Sequence, residues 1–323
     1  MKDIAILVSA RGHQTTRDRL FSIFDAISIA SLENMTTDES GSVRAVASLF
    51  DPLGGSQFDQ LPNLEIVASF GVGYDHIDAS AAADRNIIVT HTPSVLDDEV
   101  ADITIGLLLN TIREIPKAEA YLRDGKWASS GPYPLSNLTL RNRHIGIFGM
   151  GRIGKAIARR LEGFGVSIAY HNRSIVKDAP YRYANTLSDL AASVDTLINV
   201  APATDQTSNA INAEILKALG PNGVFINVGR GSTVVEDDLA AALENGTIAA
   251  AGLDVYADEP NVPGSLLSAP NTVLLPHIAS ASQHTRTAMG QLLIDNLVSW
   301  FERKTVLTPV PETAHLLGGG EPV

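Results

Sequence analysis

Three short segments place reactive side chains where an apolar run ends. Val224-Phe-Ile-Asn-Val-Gly-Arg-Gly231 sets Arg230 between two glycines. Gly252-Leu-Asp-Val-Tyr-Ala-Asp-Glu-Pro260 carries Asp254 and Glu259, and Val273-Leu-Leu-Pro-His-Ile-Ala-Ser280 carries His277. Each reads as the carboxyl end of a parallel strand, where open α/β sheets bind ligands. The set is a fixed cation, a carboxylate and an imidazole. The planar fork of Arg230 matches the edge of a carboxylate or 2-oxo acid and polarises a carbonyl. His277 is suited to protonate a forming alkoxide, because an imidazole titrates near neutrality. Glu259 would orient the ring and favour the imidazolium. Such equipment suits reduction of a 2-oxo acid by hydride transfer. Taken singly, each residue has a plainer structural role: a strand-end cap, a surface turn acid before Pro260, a satisfied loop histidine after Pro276.

A fourth segment separates these readings. Ile145-Gly-Ile-Phe-Gly-Met-Gly-Arg-Ile-Gly-Lys-Ala-Ile-Ala-Arg-Arg160 reads as a strand, a glycine turn and an amphipathic helix, the context in which G-x-G-x-x-G marks a dinucleotide site. Gly149 permits the tight turn, Gly151 lets backbone approach a pyrophosphate, and Gly154 lets the helix sit close on the strand. Arg152 and Ile153 open that helix, whose free N–H groups and dipole favour phosphate, so both are expected at the cofactor. In NAD sites an acid about 20 residues further on bonds the ribose 2′-OH. Here the next strand, Val166-Ser-Ile-Ala-Tyr-His-Asn-Arg-Ser174, ends without one. Arg173 can pair bidentately with a 2′-phosphate, and Asn172 and Ser174 can donate further hydrogen bonds. NADP(H) is the expected cofactor; the alternative is a solvated polar turn.

These segments need a scaffold. The chain has 323 residues, enough for two domains. Strand and helix patterns alternate almost throughout, which predicts α/β architecture with parallel sheets. Candidate strands before the glycine motif are Ile4–Val8, Val43–Leu49, Ile66–Phe70 and Ile87–Val89. After it come Val166–His171, Thr196–Val200, Gly223–Val228, Ala250–Val255 and Thr272–Leu275. A long helix is expected over Asp97–Arg113, with acids in its first turn where the dipole favours them, and a last helix over Thr285–Arg303. Asp124–Pro134 reads as a turn-rich excursion, and 317–323 as a mobile tail. The glycine motif lies mid-chain, so two Rossmann-like lobes are expected, joined twice by the chain, with a cleft between them.

Composition narrows the partners. A formal net charge of −12 argues against nucleic acid and anionic membrane as main partners. No apolar run has transmembrane length, and Met1–Val8 reads as a first strand rather than a signal peptide. The absence of cysteine excludes disulfides and thiolate chemistry and fits a cytoplasmic protein. No histidine cluster suggests a metal. His13, His144, His284 and His315 read as surface or loop residues. His91 starts a turn before Pro93, and His76 would brace the preceding glycine loop.

With these residues in view, most of the chain resembles the D-isomer-specific 2-hydroxyacid dehydrogenases. The likeness rests on the glycine motif, Asn227-Val-Gly-Arg-Gly231, Gly252-Leu-Asp-Val-Tyr256 through Glu259-Pro260, and Pro276-His277. It implies that Arg230 binds and polarises substrate, Glu259 partners the histidine, and His277 is the acid/base. It also implies that Asp254 holds the nicotinamide carboxamide and that Thr104 lies near the cofactor. Phe70-Gly-Val-Gly-Tyr-Asp-His-Ile-Asp78 matches the family's substrate loop, so the N–H groups of Val72 and Gly73 would receive the substrate carboxylate. Such glycine-rich turns suit anions. The family fold implies a flavodoxin-like substrate domain over 1–98 and 286–323, with a doubly wound NADP-binding domain over 99–285 inserted in it. It further implies a homodimer through the cofactor domain, with Asp124–Pro134 as the arm and Trp127 as a packing residue.

Within the family, the 71–78 loop and the Tyr170–Ser174 end resemble the NADPH-dependent glyoxylate/hydroxypyruvate reductases. Hydroxyphenylpyruvate and 2-ketogluconate reductases are neighbours, which leaves a bulkier 2-oxo acid as an alternative substrate. The chain departs from the family in having Ala279 where glycine is frequent, and Val235-Glu236 where Val-Asp is frequent. A reading of another class is a non-catalytic, dinucleotide-sensing interaction protein on the same fold. The intact Arg230, Glu259 and His277 set speaks against it.

Overall fold

A computed structural model describes all residues except 11, 30, 31, 33, 34, 49–51 and 319–323. Most of the tail expected at 317–323, and the last residue of the strand expected at 43–49, lie outside the described residues. The chain divides into two compact units, Met1–Leu96 with Ser282–Val323, and Asp97–Ala281. The boundaries expected from the sequence are 98/99 and 285/286.

The first unit holds β1 (Ala5–Ser9), β2 (Asp25–Ile29), β3 (Val43–Ser48), β4 (Ile66–Ser69) and β5 (Ile88–Thr90). They form one parallel sheet in the order β2-β1-β3-β4-β5, the flavodoxin-like arrangement. β1, β3 and β4 are near-continuous apolar runs, as strands covered on both faces require. β1, β3, β4 and β5 each end on a buried hydroxyl residue: Ser9, Ser48, Ser69 and Thr90. The helix Gln283–Arg303 belongs to this unit. Ser282 caps it by accepting the N–H of Thr285, and Met289, Leu293, Ile294 and Leu297 form its buried stripe.

The second unit holds β6 (His144–Phe148), β7 (Ser167–His171), β8 (Arg182–Tyr183), β9 (Thr196–Asn199), β10 (Val224–Asn227), β11 (Ala250–Leu253) and β12 (Thr272–Leu274). Its parallel order is β12-β11-β10-β9-β6-β7-β8. The order reverses at β6, with β7 on one side and β9 on the other, and a crevice beyond the carboxyl ends there is where doubly wound sheets bind ligands. Leu197, Phe225, Leu239, Ala251 and Leu253 sit in its core, where burying a leucine- or phenylalanine-sized side chain contributes roughly 1.5–3 kcal/mol.

The helix Asp97–Arg113 forms as its pattern predicts. Asp97, Asp98 and Glu99 occupy the first turn, Arg113 the last, and Val100, Ala101, Thr104, Leu107, Leu108, Thr111 and Ile112 form the buried stripe. The Asp124–Pro134 excursion contains a short helix, Lys126–Ser130, between Gly125 at φ 69 and Gly131 at φ 87.

Candidate active site

The glycine turn follows β6 with the three distinct glycine environments its motif demands. Gly149 has φ 106, and a Cβ there would lie 2.7 Å from the Ala201 backbone nitrogen. At Gly154 a Cβ would overlap the Gly149 carbonyl oxygen, so the helix Arg152–Glu162 can approach the turn only without a side chain. At Gly151 a Cβ would meet nothing within 4 Å. The turn is therefore closed on the protein side and open on the other, where a pyrophosphate fits the helix N-terminus. Arg152 pairs with Asp97 at 3.4 Å, tying the two helix starts together.

The end of β7 is partly built in. His171 Nδ1 hydrogen-bonds the Ala184 carbonyl at 2.9 Å, and its ring stacks with Phe148 and Tyr183. Asn172 Oδ1 accepts the N–H of Met150 at 2.8 Å, which joins this strand end to the glycine turn. Among the described residues its amide nitrogen has no partner, which leaves a donor for a ligand. Arg173 and Ser174 are exposed. Among the described residues Arg173 has no ion-pair partner. This exposed cation beside the glycine turn, with no acid at the strand end, fits a 2′-phosphate.

Arg230 leaves β10 on a loop held by buried polar groups. Asn227 Oδ1 accepts the N–H of Gly229 at 3.1 Å, and Asn227 Nδ2 donates to the Arg230 carbonyl at 3.1 Å. Asn199 Nδ2 donates to Asn227 Oδ1 and to Thr233 Oγ1, and Thr233 Oγ1 donates to the Arg230 carbonyl at 2.6 Å. Asn199, Asn227 and Thr233 are all buried, where satisfied polar networks rigidify the backbone. The flanking glycines follow from packing. A Cβ at Gly229 would crowd the Ala201 carbonyl, and one at Gly231 would overlap the Tyr256–Ala257 peptide.

That peptide belongs to the loop after β11 that carries Glu259. Glu259 Oε1 accepts the N–H of Tyr256 at 3.0 Å, and Oε2 receives His277 Nδ1 at 2.7 Å. Burial works against the Glu259 carboxylate. The hydrogen bonds from His277 and Tyr256 and the charges of His277 and Arg230 outweigh it and hold its pKa below the ordinary range. Tyr256 Oη donates to the Leu275 carbonyl at 3.0 Å, linking this loop to the one that carries His277. The Tyr256 phenol is pushed up to about 12 by burial and the neighbouring carboxylates.

His277 has φ 53, in the left-handed region. Asp254 secures the turn that follows: Oδ1 accepts the N–H of Ile278 at 2.7 Å and Oδ2 that of Ala279 at 2.9 Å. Asp254 is fully buried at 0 % exposure, and burial raises its pKa against those two bonds. Thr104 is also buried, its hydroxyl donating to the Val100 carbonyl at 2.7 Å.

In the first unit the turn after β4 is braced from behind. His91 Nδ1 donates to the Val72 carbonyl at 2.9 Å, and the Thr92 N–H is donated to the Gly71 carbonyl at 2.8 Å. Tyr74 packs edge-on against His91 with centroids 5.5 Å apart, and its hydroxyl reaches Glu312 at 3.1 Å. His76 hydrogen-bonds Ser48 at 3.2 Å.

The second unit thus brings together Arg230, Glu259 and His277, and separately the glycine turn with the β7 end. Sequence reasoning missed Glu236, which accepts the Ala257 N–H at 2.9 Å; its only signal was the departure from the usual Val-Asp. No helix among the described residues is long and apolar enough to cross a membrane.

Comparison with known proteins agrees with this geometry. The family described as "D-isomer specific 2-hydroxyacid dehydrogenase, NAD binding domain" matches residues 105–279. The chain is 43% identical over 270 residues to glyoxylate/hydroxypyruvate reductase A of Arabidopsis thaliana, covering 83% of this chain and 86% of the relative. It is 40% identical to hydroxyphenylpyruvate reductase of Plectranthus scutellarioides, covering 91% and 93%. A crystal structure of an NADPH-dependent glyoxylate/hydroxypyruvate reductase from Sinorhizobium meliloti, with NADP and malonate, has a TM-score of 0.93 at 53% identity, covering 96% of this chain and 98% of that one. Four ordered motifs, two parallel sheets and these likenesses lead to one family: the chain belongs to the D-isomer specific 2-hydroxyacid dehydrogenases.

Proposed function

We propose that this protein is an NADPH-dependent reductase that converts a small 2-oxo acid of the glyoxylate or hydroxypyruvate class to the D-2-hydroxy acid. The observation that carries the reading is the 2.7 Å contact between His277 Nδ1 and Glu259 Oε2 on a loop adjoining that of Arg230. With Nδ1 engaged by the carboxylate, Nε2 is the nitrogen left to pass a proton to substrate. Arg230 holds the oxo acid and polarises its carbonyl. The backbone N–H groups of Val72 and Gly73 are assigned to the substrate carboxylate, since the loop's carbonyls at Gly71 and Val72 are already engaged. When bound, the dinucleotide supplies the hydride. Gly149, Gly151, Arg152, Ile153 and Gly154 would hold its pyrophosphate and Asn172, Arg173 and Ser174 its 2′-phosphate, with Thr104 and Asp254 on the nicotinamide side.

The activity for which the Sinorhizobium relative is named supports the substrate class and the cofactor. The hydroxyphenylpyruvate reductase of Plectranthus favours a second reading, a bulkier 2-oxo acid. A homodimer through the cofactor unit is part of the proposal. It is supported by Leu122, Trp127 and Leu135, exposed at 55%, 64% and 94% on and around the excursion. A cytoplasmic location belongs to it too, as a cysteine-free chain suits a reducing compartment.

The test is kcat/KM for glyoxylate, hydroxypyruvate, hydroxyphenylpyruvate and 2-ketogluconate, each with NADPH and with NADH. The small acids with NADPH should lead. Preference for an aromatic or sugar acid would move the assignment to the second reading, and preference for NADH would sink the cofactor assignment.

A further inference from the structure

The loop that carries Glu259 is held by a carboxylate outside the Arg230, Glu259 and His277 set. Glu236 is the first residue of the helix Glu236–Glu244, and its Oε1 accepts the N–H of Ala257 at 2.9 Å. One residue earlier, the N–H of Tyr256 is held by Glu259 itself at 3.0 Å. The peptide between Tyr256 and Ala257 is also the surface on which the Arg230 loop rests, because a Cβ at Gly231 would overlap the Tyr256 carbonyl carbon and oxygen and the Ala257 nitrogen. A single peptide group therefore meets the glycine next to Arg230, the side chain of Glu236, and the loop closed by Glu259.

We propose that Glu236 is a positioning residue: by holding the Ala257 N–H it fixes this peptide, and so sets the spacing between Arg230 and the Glu259–His277 pair. The inference rests on the reductase reading and extends it. A plainer role, favouring the helix dipole, does not require this geometry. Asp237 and Asp238 share the first turn, and Asp238 already accepts the Ala213 N–H at 2.8 Å. Glu236 is half-buried. Burial, and the charges of Asp237, Asp258 and Glu259, push its pKa up, so the local field opposes a carboxylate there while the Ala257 N–H favours it. The role lies in the acceptor oxygen at the end of a side chain of this length. A glutamine retains both. An aspartate keeps the charge but is one methylene shorter and does not reach.

The experiment compares wild type with Glu236→Gln, Glu236→Ala and Glu236→Asp, and with Asp237→Ala as a neighbouring-acid control. Three quantities are read: kcat and KM for glyoxylate at saturating NADPH, the Kd of NADPH, and the low-field proton NMR signal of His277 Nδ1–H in ligand-free protein. Glu236→Ala and Glu236→Asp should lose about tenfold to a hundredfold in kcat, the range for a small misplacement of reacting groups. Their NADPH affinity should be unchanged and the His277 signal lost or broadened. Glu236→Gln and Asp237→Ala should match wild type. The proposal is overturned if the alanine and aspartate variants keep kcat and the signal, if Gln is as impaired as Ala, or if NADPH affinity falls in step with kcat. Should the alanine variant not fold, the aspartate and glutamine variants decide. If wild type itself turns over no oxo acid, the reductase reading fails, and the His277 signal still decides the positioning role.

Discussion

The two chemically important corners of the second unit are built differently. Around Arg230, Glu259 and His277 almost every polar group already has a protein partner: the buried Asn199–Asn227–Thr233 network under the Arg230 loop, Tyr256 and His277 on Glu259, and Asp254 under the turn after His277. At the β7 end, His171 and Asn172 are tied down, while Arg173 and Ser174 stand exposed. On the proposed function, the contrast separates two tasks. Proton transfer and carbonyl polarisation need donors held in place before the substrate arrives. Choosing between two dinucleotides needs a cation able to meet a phosphate, and an exposed arginine suffices.

If the first corner is a preorganised device, losing one member should be costly while binding survives. His277→Ala should lower kcat by about 10²–10⁴-fold, the usual contribution of general acid catalysis. Steady-state turnover at saturating NADPH measures this, and a loss of only a few-fold would break the comparison. Gly231→Ala tests the scaffold beneath it. The added methyl must displace the Tyr256–Ala257 peptide, so thermal or urea unfolding should show roughly 1–3 kcal/mol lost to overpacking, with kcat falling too. Full stability would mean the loops do not touch as described.

The second corner should respond only in cofactor preference. Arg173→Ala should raise KM for NADPH by about tenfold, the worth of a charge-assisted hydrogen bond, and leave NADH unaffected. An unchanged NADPH/NADH ratio would remove Arg173 from the phosphate site.

The smallest effect concerns acid stability. The pKa of Glu259 lies below its ordinary value of 4.5 because the bonds and charges around it outweigh burial. A group depressed in the folded state stabilises fully above its unfolded pKa, and that contribution disappears as pH falls through the folded value. Wild type should therefore lose melting temperature relative to Glu259→Gln below about pH 4.5, with parallel curves near neutrality. Parallel curves throughout would show that the His277–Glu259 bond contributes nothing to folding.

Much of this was legible in the sequence because it is local. Gly149, Gly151 and Gly154 announce a turn whose needs are set within six residues, and Asn227-Val-Gly-Arg-Gly231 puts Arg230 between glycines for reasons of close packing. The long helix Asp97–Arg113 declares itself by its acids and its apolar stripe. What stayed hidden depends on distant segments. β2, Asp25–Ile29, follows a helix after a single residue and is too short to show its own period. The roles of Asp254 and Glu236 need loops from β10, β11 and β12 to be in place before their N–H partners exist. Likewise, the hydrogen bond from His91 to Val72 spans 19 residues, so no local pattern announces it.

The most direct test of the account separates binding from chemistry in one variant. NADPH binding and single-turnover hydride transfer to glyoxylate should be measured side by side for wild type and His277→Ala. The account predicts equal NADPH affinity, rapid NADPH oxidation by wild type, and almost none by the variant. Equal oxidation rates in the two proteins, or none in either with NADPH bound, would contradict it.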